Sequence, residues 1–330
     1  MKIITQELYT KLKSLPETCG VYLLYDDSGS IIYVGKSINL KKRVMSYFRK
    51  NSDSMKKTQI LSKNIQNIKV QITDTELQAL ILEDELIKKH LPEYNIKQKE
   101  YKEYQYLTVS DDEFPYIFSE HTPAHKIGHR IFGPFKDSFL ADKIKDIVCE
   151  TFLLRHCTTK VPKNKCIRHD IGQCSGPCKG KISSEDYTRI VNSALDFLRG
   201  DIQTARRIIK KKITLYAEKL EFEQAALWRD RLRFCVGFCN RQKFISNFVS
   251  KTLIIEEKTQ PSKLYIFHKG NLVKIYNRKP LENQMKKYLE VLKGQPIKRE
   301  VNFLFLLDRA MVIYMWLRNR KSKRDHYFIS

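Results

Sequence analysis

Cys19-Gly-Val-Tyr-Leu-Leu-Tyr25, Asp26-Asp-Ser-Gly-Ser30, Ile31-Ile-Tyr-Val-Gly-Lys36 and Ser37-Ile-Asn-Leu-Lys-Lys-Arg-Val-Met-Ser-Tyr-Phe48 form one continuous stretch that decides the fold. Two β-rich runs, Val21 to Tyr25 and Ile31 to Val34, flank an Asp/Ser/Gly cluster, the pattern of two strands joined by a hairpin loop. Gly35 is expected to break the second strand. A helix should follow, with Leu40, Val44, Tyr47 and Phe48 on one face. Arg43 and Tyr47 lie four residues apart and so share a side of that helix. The hairpin thus presents Tyr22 and Tyr33, and the helix behind it presents Arg43 and Tyr47. Phenols beside a fixed guanidinium suit a phosphodiester.

Moving outward, Ile68-Lys-Val-Gln-Ile72 alternates as a third strand should. Asp74 or Thr75 can cap a helix from Glu76 to His90, which ends before Pro92. Most acids on that helix read as solvated, but Glu83 has Ala79, Leu80, Leu86 and Ile87 as its helical neighbours. A carboxylate inside an apolar stripe requires a cation or hydrogen-bond partner. A salt bridge to some Lys or Arg and a metal ion both meet that need. Lys97 to Tyr106 is a dense Lys/Tyr segment, either a DNA-tracking strip or a solvated connector.

The Gly-Val-Tyr and Tyr-Val-Gly pair, followed by an Arg-bearing helix, resembles the GIY-YIG nuclease domain. Its nearest kin are the amino-terminal halves of UvrC-like excision-repair nucleases. That resemblance implies a three-stranded antiparallel sheet with helices. It puts Glu83, in Ala79-Leu-Ile-Leu-Glu83, where the family keeps its metal-binding glutamate. Asn95, in Pro92-Glu-Tyr-Asn95, falls where the family has an asparagine near the active site; a loop residue capping local backbone is the alternative. The implied chemistry has Glu83 holding Mg²⁺ or Mn²⁺ and Tyr33 taking a proton from the attacking water. Lys36 and Arg43 would supply the positive charge that makes a phenol of pKa about 10 a usable base. Tyr22 and Tyr47 would orient water or phosphate.

Bulk properties agree with a polyanionic partner. The 330 residues carry a net charge of +24 with a pI near 9.6, which favours nucleic acid. Residues 1–100 hold 17 Lys and Arg against 12 Asp and Glu, a net of +5, so +19 lies downstream. No apolar run reaches the roughly 20 residues of a spanning helix, and the first residues lack a signal-peptide pattern. The expectation is a soluble cytoplasmic protein with no membrane partner.

Eight cysteines without an export pattern argue against a disulfide framework. Cys157, Cys166, Cys174 and Cys178 cluster within 22 residues on a Gly/Pro-containing segment, a metal-site signature. All-Cys ligation suits zinc or an iron–sulfur cluster. Cys166-Ile-Arg-His-Asp-Ile-Gly-Gln-Cys-Ser-Gly-Pro-Cys178 resembles the UvrC Cys-rich segment, which implies a [4Fe-4S] cluster on these four ligands, with zinc the alternative. Cys149, Cys235 and Cys239 read as core residues. Ile131-Phe-Gly-Pro-Phe135 resembles a family motif before a helix and is assigned no chemistry.

Helices are expected from Ser183/Ser184 to Leu198, from Thr204 to Leu220, and from Glu223 through Phe234. Leu220-Glu-Phe-Glu-Gln-Ala-Ala-Leu-Trp-Arg-Asp230 resembles the UVR motif, a helical hairpin that docks on UvrB in that family; an ordinary hairpin packed within the chain is the alternative. Strands return at Thr252 to Ile255, Leu264 to His268 and Leu272 to Ile275, and helices at Leu281 to Leu292 and Asp308 to Arg318. A basic stretch runs from Arg318 to Arg324.

The expected architecture is α+β in four regions: a GIY-YIG domain at 1–99, a Cys-rich linker and metal-cluster domain at 100–203, a UVR hairpin at 204–240, and a small α/β region at 241–330. The expected protein is a metal-dependent endonuclease that UvrB recruits to damaged double-stranded DNA, where it cuts 3′ to the lesion. The resemblance is to short UvrC homologues without the RNase H-like half. A free-standing GIY-YIG nuclease and a non-catalytic DNA- or UvrB-binding regulator are the alternatives. The oligomeric state is not legible.

Overall fold

The computed structural model describes residues 6–48, 61–95, 104–121, 128–135, 137–157, 167–258, 262–293, 303–319 and 324–329. The expected loop at 49–57, most of the Lys/Tyr segment (97–103) and Cys166 lie outside them. The chain divides into two compact units, residues 1–101 with 315–320, and residues 102–314 with 321–330.

In the first unit, α1 (Gln6–Ser14) leads into β1 (Gly20–Tyr25), β2 (Ile31–Ser37), α2 (Leu40–Met45), β3 (Asn67–Ile72) and α3 (Glu76–His90). The sheet is antiparallel throughout, in the order β2-β1-β3. β1 is apolar along nearly its whole length because both of its faces are covered. Tyr22 and Leu24 face Leu8, Leu12, Leu40 and Val44 from α1 and α2. Val21 and Leu23 face Ala79 and Ile87 of α3. Asn39 caps α2 by accepting from the Lys42 N–H, and Thr75 caps α3 by accepting from the Gln78 N–H.

Gly35 does not break β2. The strand continues to Ser37, with Tyr22 opposite Gly35, Val21 opposite Lys36 and Gly20 opposite Ser37. The glycine is there for space rather than for a turn. A Cβ on Gly35 would strike the Tyr22 hydroxyl, stand 2.6 Å from Tyr22 Cζ and 2.8 Å from Tyr33 Cε1. A Cβ on Gly20 would strike the Gln71 carbonyl and stand 2.9 Å from Leu40 Cδ1. Both motif glycines are therefore close-approach positions. Beyond α3, the chain closes the outer edge of β2. Tyr94 N–H donates to the Ile32 carbonyl at 3.0 Å, and the Asn95 side chain pairs with both backbone groups of Val34.

The second unit opens with β4 (Gln105–Val109), β5 (Ile117–Glu120) and β6 (Arg130–Phe135), ordered β5-β4-β6. Four long helices follow, α4 (Ser138–Phe152), α5 (Ser184–Leu198), α6 (Gln203–Glu218) and α7 (Phe222–Ser250), with a short helix Ile167–Asp170 and a 3-10 turn Pro177–Lys179 between α4 and α5. Ile131 to Phe135 thus lies in β6, ahead of α4. One apolar core joins the sheet to all four helices, from Leu107 and Val109 through Phe152 and Phe197 to Ile209, Trp228 and Phe238. The segments 100–203 and 204–240, expected as separate regions, share one interior in the second unit. The expected boundary at 240 falls inside α7, which runs 29 residues. Cys149, Cys235 and Cys239 are buried core thiols.

The chain then forms β7 (Thr252–Glu257), β8 (Lys263–His268), β9 (Asn271–Tyr276), α8 (Glu282–Lys293), α9 (Phe303–Asn319) and β10 (Arg324–Ile329). The antiparallel sheet is ordered β10-β7-β8-β9. Met285, Tyr288 and Leu289 of α8 pack on Ile254, Leu264 and Ile266, while Phe244 and Phe248 of α7 meet Phe267 and Phe328 on the opposite face. β10 occupies the end of the expected basic stretch; its pairing with β7, some 70 residues earlier, left no local pattern to read. Among the described residues no helix is long and apolar enough to cross a membrane.

Gly35→Ala should lower stability by about 1–3 kcal/mol, the usual cost of overpacking a filled interior, and displace the Tyr22 ring. Thermal unfolding measures the first effect and the near-ultraviolet circular dichroism of the tyrosines the second; a variant with unchanged Tm and spectrum would contradict the close-approach assignment.

Candidate active site

β1 and β2 are paired so that Tyr22 and Tyr33 lie near one another, with ring centroids 6.0 Å apart. A 3-10 turn, Ser46–Phe48, extends α2 and lowers Tyr47 into the same space. Its ring centroid is 6.1 Å from that of Tyr22 and 6.3 Å from that of Tyr33. The Tyr22 and Tyr47 hydroxyls are 2.8 Å apart, in hydrogen-bond contact. Arg43, one helical turn before Tyr47, donates from Nε to the Tyr22 hydroxyl at 3.3 Å and lies over the Tyr47 ring at 5.4 Å. Three phenols and a guanidinium converge as the sequence suggested.

Their exposure divides their roles. Tyr22 is fully buried and Tyr47 nearly so. Neither reaches solvent well enough to orient a water or phosphate directly, the part expected of them. They instead brace Arg43 and Tyr33 from beneath. Arg43 is exposed, and Tyr33, Lys36 and Glu83 are part-exposed, so these four face whatever enters.

Glu83 stands in α3 against β2. Its Oε1 accepts the Lys36 backbone N–H at 2.9 Å. Burial raises the Glu83 pKa above the ordinary carboxylate range, and the charge on Asp84 adds to the effect; the Lys36 N–H, the Lys36 ammonium and Arg43 pull the other way. Asp84 is itself paired with Lys88 at 2.6 Å. The cation requirement read from the apolar stripe is thus only partly met by protein. One amide donor and two cations within electrostatic range do not offset the desolvation.

Two expectations change. Lys36 was expected to bias Tyr33 toward phenolate, but its ammonium pairs with Glu76 at 3.1 Å, and its closest tie to the site is the backbone N–H on Glu83. Nor is the Tyr33 pKa lowered. Burial pushes it well above its ordinary value, Tyr47 and Glu83 push it further, and the opposing influence of Arg43 is smaller. Tyr22 is likewise raised, mainly by burial, and Arg43 is held firmly charged by the phenols around it. Burial thus favours the neutral phenol at Tyr22 and Tyr33, beside the Arg43 guanidinium.

Asn95 is a positioning residue. Its Oδ1 accepts the Val34 N–H at 2.9 Å and its Nδ2 donates to the Val34 carbonyl at 2.7 Å, which fixes β2 between Tyr33 and Gly35. This is a backbone cap, though on a strand 61 residues away rather than on its own loop. Sequence reasoning passed over Glu76 and Asn39. Asn39 was findable as a helix cap; the Lys36–Glu76 pair depends on the packing of α3 on β2.

A divalent cation at Glu83 fits this donor chemistry. Mg²⁺ takes few protein carboxylates and keeps several waters, and Glu83 is an under-compensated carboxylate at an accessible edge. The cysteines differ. Arg155 donates to the Cys157 carbonyl at 3.0 Å, and Cys174 Sγ accepts the Gly176 N–H at 3.5 Å. Among the described residues no group of three or more His, Cys, Asp or Glu side chains is placed to hold a metal, and Cys166 lies outside them. With Cys166 outside the described residues the expected four-cysteine set is incomplete among them, and no chemistry is derived from it.

The hairpin of α6 and α7 also differs from expectation. Its inner face, with Ala205, Ile209, Trp228 and Phe238, belongs to the core of the second unit. Lys212 and Arg231 both lie against the Trp228 ring, at 4.1 and 4.5 Å. Arg231 pairs with Glu150 of α4 at 2.5 Å, so the hairpin is pinned to its own unit. Only its turn end is apolar and open: Leu215, Leu220, Phe222 and Leu227 are all exposed.

Residues 18–96 match the family model of the UvrC-like GIY-YIG domain, and residues 104–197 match that of the UvrC/Cho excinuclease middle domain. UvrABC system protein C of Carboxydothermus hydrogenoformans is 35% identical over 277 residues, covering 82% of this chain and 46% of the relative. The same protein of Dictyoglomus thermophilum is 37% identical over 282 residues, with the same two coverages. The chain therefore spans about half the length of these relatives. A solved structure, the GIY-YIG N-terminal endonuclease domain of UvrC from Thermotoga maritima bound to its catalytic divalent cation, magnesium, is 31% identical; it covers 28% of this chain and 98% of that one at a TM-score of 0.25. With Tyr22, Tyr33, Arg43 and Glu83 inside the first matched region, a UvrC/Cho middle domain following it, and relatives of 35–37% identity over 82% of its length, the chain belongs to the UvrC family, with a UvrC-like GIY-YIG domain at residues 18–96 and a UvrC/Cho middle domain at residues 104–197.

Proposed function

We propose that the chain is a metal-dependent endonuclease that hydrolyses a phosphodiester of duplex DNA, 3′ to a lesion, when recruited by UvrB. The observation that carries this reading is the accessible trio of Arg43, Tyr33 and Glu83 above the buried Tyr22–Tyr47 pair. Arg43, exposed and held by Tyr22, is positioned to bind a non-bridging phosphate oxygen and to meet the extra negative charge of the pentacovalent state. Glu83 would hold the cation, with its carboxylate oriented by the Lys36 N–H; when bound, Mg²⁺ or Mn²⁺ supplies Lewis-acid stabilisation of the phosphate and of the leaving 3′ oxygen. Tyr33 removes a proton from the attacking water. It does so only in its minor phenolate form, because its surroundings favour the neutral phenol. Lys36 and Asn95 position Glu83 and β2.

For UvrB the supporting feature is the exposed apolar end of the α6–α7 hairpin, with Leu220 and Phe222 more than half exposed. Eight cysteines in a chain whose first residues lack an export pattern suit a reducing cytoplasm. A UvrB-independent nuclease is the second reading, favoured by the hairpin's own packed inner face.

The deciding experiment is nicking of an end-labelled duplex with one bulky lesion in Mg²⁺, with and without UvrA and UvrB. A single 3′ cut that requires UvrB is expected. Lesion-independent nicking without UvrB would select the second reading, and no cut in any condition would leave a binding protein.

Glu83→Gln should separate stability from activity. A carboxyl whose folded pKa is raised contributes stability at low pH that is lost as pH rises through the folded value. At neutral pH the ionised Glu83 therefore costs stability, and Glu83→Gln should raise Tm while reducing nicking more than tenfold. Added Mg²⁺ should raise the Tm of the wild type and leave that of Glu83→Gln unmoved; an equal Mg²⁺ response would remove Glu83 as the ligand.

If the Tyr33 phenolate is the base, its fraction climbs about tenfold per pH unit below its pKa. Nicking by the wild type should then rise with pH without a plateau between about pH 6 and 9. Tyr33→Phe should lose more than tenfold in rate and lose the slope. A plateau in the wild type near neutrality would assign the base elsewhere.

A further inference from the structure

Helix α6, Gln203–Glu218, contains five Lys or Arg residues between 206 and 212 and a single acid, Glu218, at its end. Its apolar side is occupied: Ala205 and Ile209 are buried, with Ile208, Ile213 and Tyr216 packed beside them. Lys212 is engaged too, against Trp228 and donating to the Glu150 carbonyl at 3.1 Å. The other four cations differ. Arg207, Lys210 and Lys211 are exposed and Arg206 is half-exposed beside them. Among the described residues none of the four has an ion-pair partner. The charges are also mutually unfavourable. Arg206 with Lys210 and Arg207 with Lys211 are like-charged pairs at i, i+4, an arrangement that weakens a helix. Burial of the opposite side keeps α6 helical despite this, so the stripe holds repulsion that a polyanion would relieve.

We infer that the outward stripe Arg206, Arg207, Lys210 and Lys211 is a docking surface for the phosphate backbone of duplex DNA. The inference rests on the reading of the chain as a DNA nuclease and assigns part of its grip to the second unit. Cations one helical turn apart can each meet a phosphate without reading sequence. The stripe is also distinct from the apolar turn end of the hairpin, where Leu220 and Phe222 stand. One hairpin thus offers an apolar end to a protein and a basic flank to DNA. The location agrees with the charge distribution, since the first 100 residues carry only +5 of the net +24 and the stripe lies in the more basic remainder.

The test is binding of the full chain to a short, undamaged, fluorescent duplex in EDTA, which prevents cleavage, at a series of salt concentrations. Arg207→Gln/Lys210→Gln/Lys211→Gln keeps helix propensity, since Gln is as good a helix former as Lys. Each lost phosphate contact lowers the slope of log K against log salt by about 0.9, so this variant should lose about 2 to 3 in slope. Lys286→Gln/Lys287→Gln, on the exposed side of α8, removes similar charge and should leave the slope unchanged. An unaltered slope in the α6 variant, or an equal fall in the α8 control, would overturn the inference. So would a retained DNA slope accompanied by lost UvrB binding, which would give the stripe to an acidic protein surface. Glu83→Gln should bind with the wild-type slope, so a failed nuclease assignment and a failed DNA surface give different results.

Discussion

The hydroxyl of Tyr22, buried opposite Gly35, is the contact on which the catalytic end of this chain depends. A phenol of that size fits at the centre of the sheet only because its cross-strand neighbour has no side chain. Once there, its buried oxygen must be satisfied, and it is, by the Tyr47 hydroxyl and Arg43 Nε. Those two bonds decide where α2 and its 3-10 extension sit against the sheet. They also hold the Arg43 guanidinium at the surface, where an anion can reach it. A packing constraint on one glycine thereby becomes the orientation of the Arg43 guanidinium.

Glu83 shows the opposite economy. The helix that carries it is held by ordinary apolar packing of Ala79 and Ile87 on β1 and β2, and the carboxylate lies where that packing partly desolvates it. The protein supplies one amide donor and some distant positive charge, less than a buried carboxylate requires. Such local dissatisfaction is how functional carboxylates commonly differ from structural ones. Asp84, next in sequence and more deeply buried, is matched by Lys88 and reads as structural. Adjacent acids on one helix thus take different roles from their partners alone.

The second unit shows a hairpin whose two sides serve different ends. The UVR-like segment does form a helical hairpin, but Trp228, Phe238 and Cys239 place its inner face in the interior that also holds β4 and α4. What it leaves open is an apolar turn end and a basic flank. The interior of a hairpin and its exterior belong to different problems. Burial stabilises the unit, and only the remaining surface is available for recognition.

Much of this was legible in the chain itself. The β-rich run of β1, the alternation of β3, the capping residues of α3 and α5, the apolar stripe around Glu83 and the shared helix side of Arg43 and Tyr47 all follow from local spacing, because period and capping are properties of neighbouring residues. The cores of Cys149, Cys235 and Cys239 were likewise readable. Tertiary structure decided the rest. It carried β2 through Gly35, since the need for that glycine comes from a residue across the sheet rather than from its own turn. It gave β10 a partner some 70 residues away. It turned Asn95 into a brace for Val34, and it directed the Lys36 ammonium to Glu76. Above all it set the sign of the Tyr33 shift, because burial outweighs a neighbouring guanidinium only when the surrounding side chains exclude water. Sequence spacing determined which groups meet; the packed environment determined their protonation and exposure.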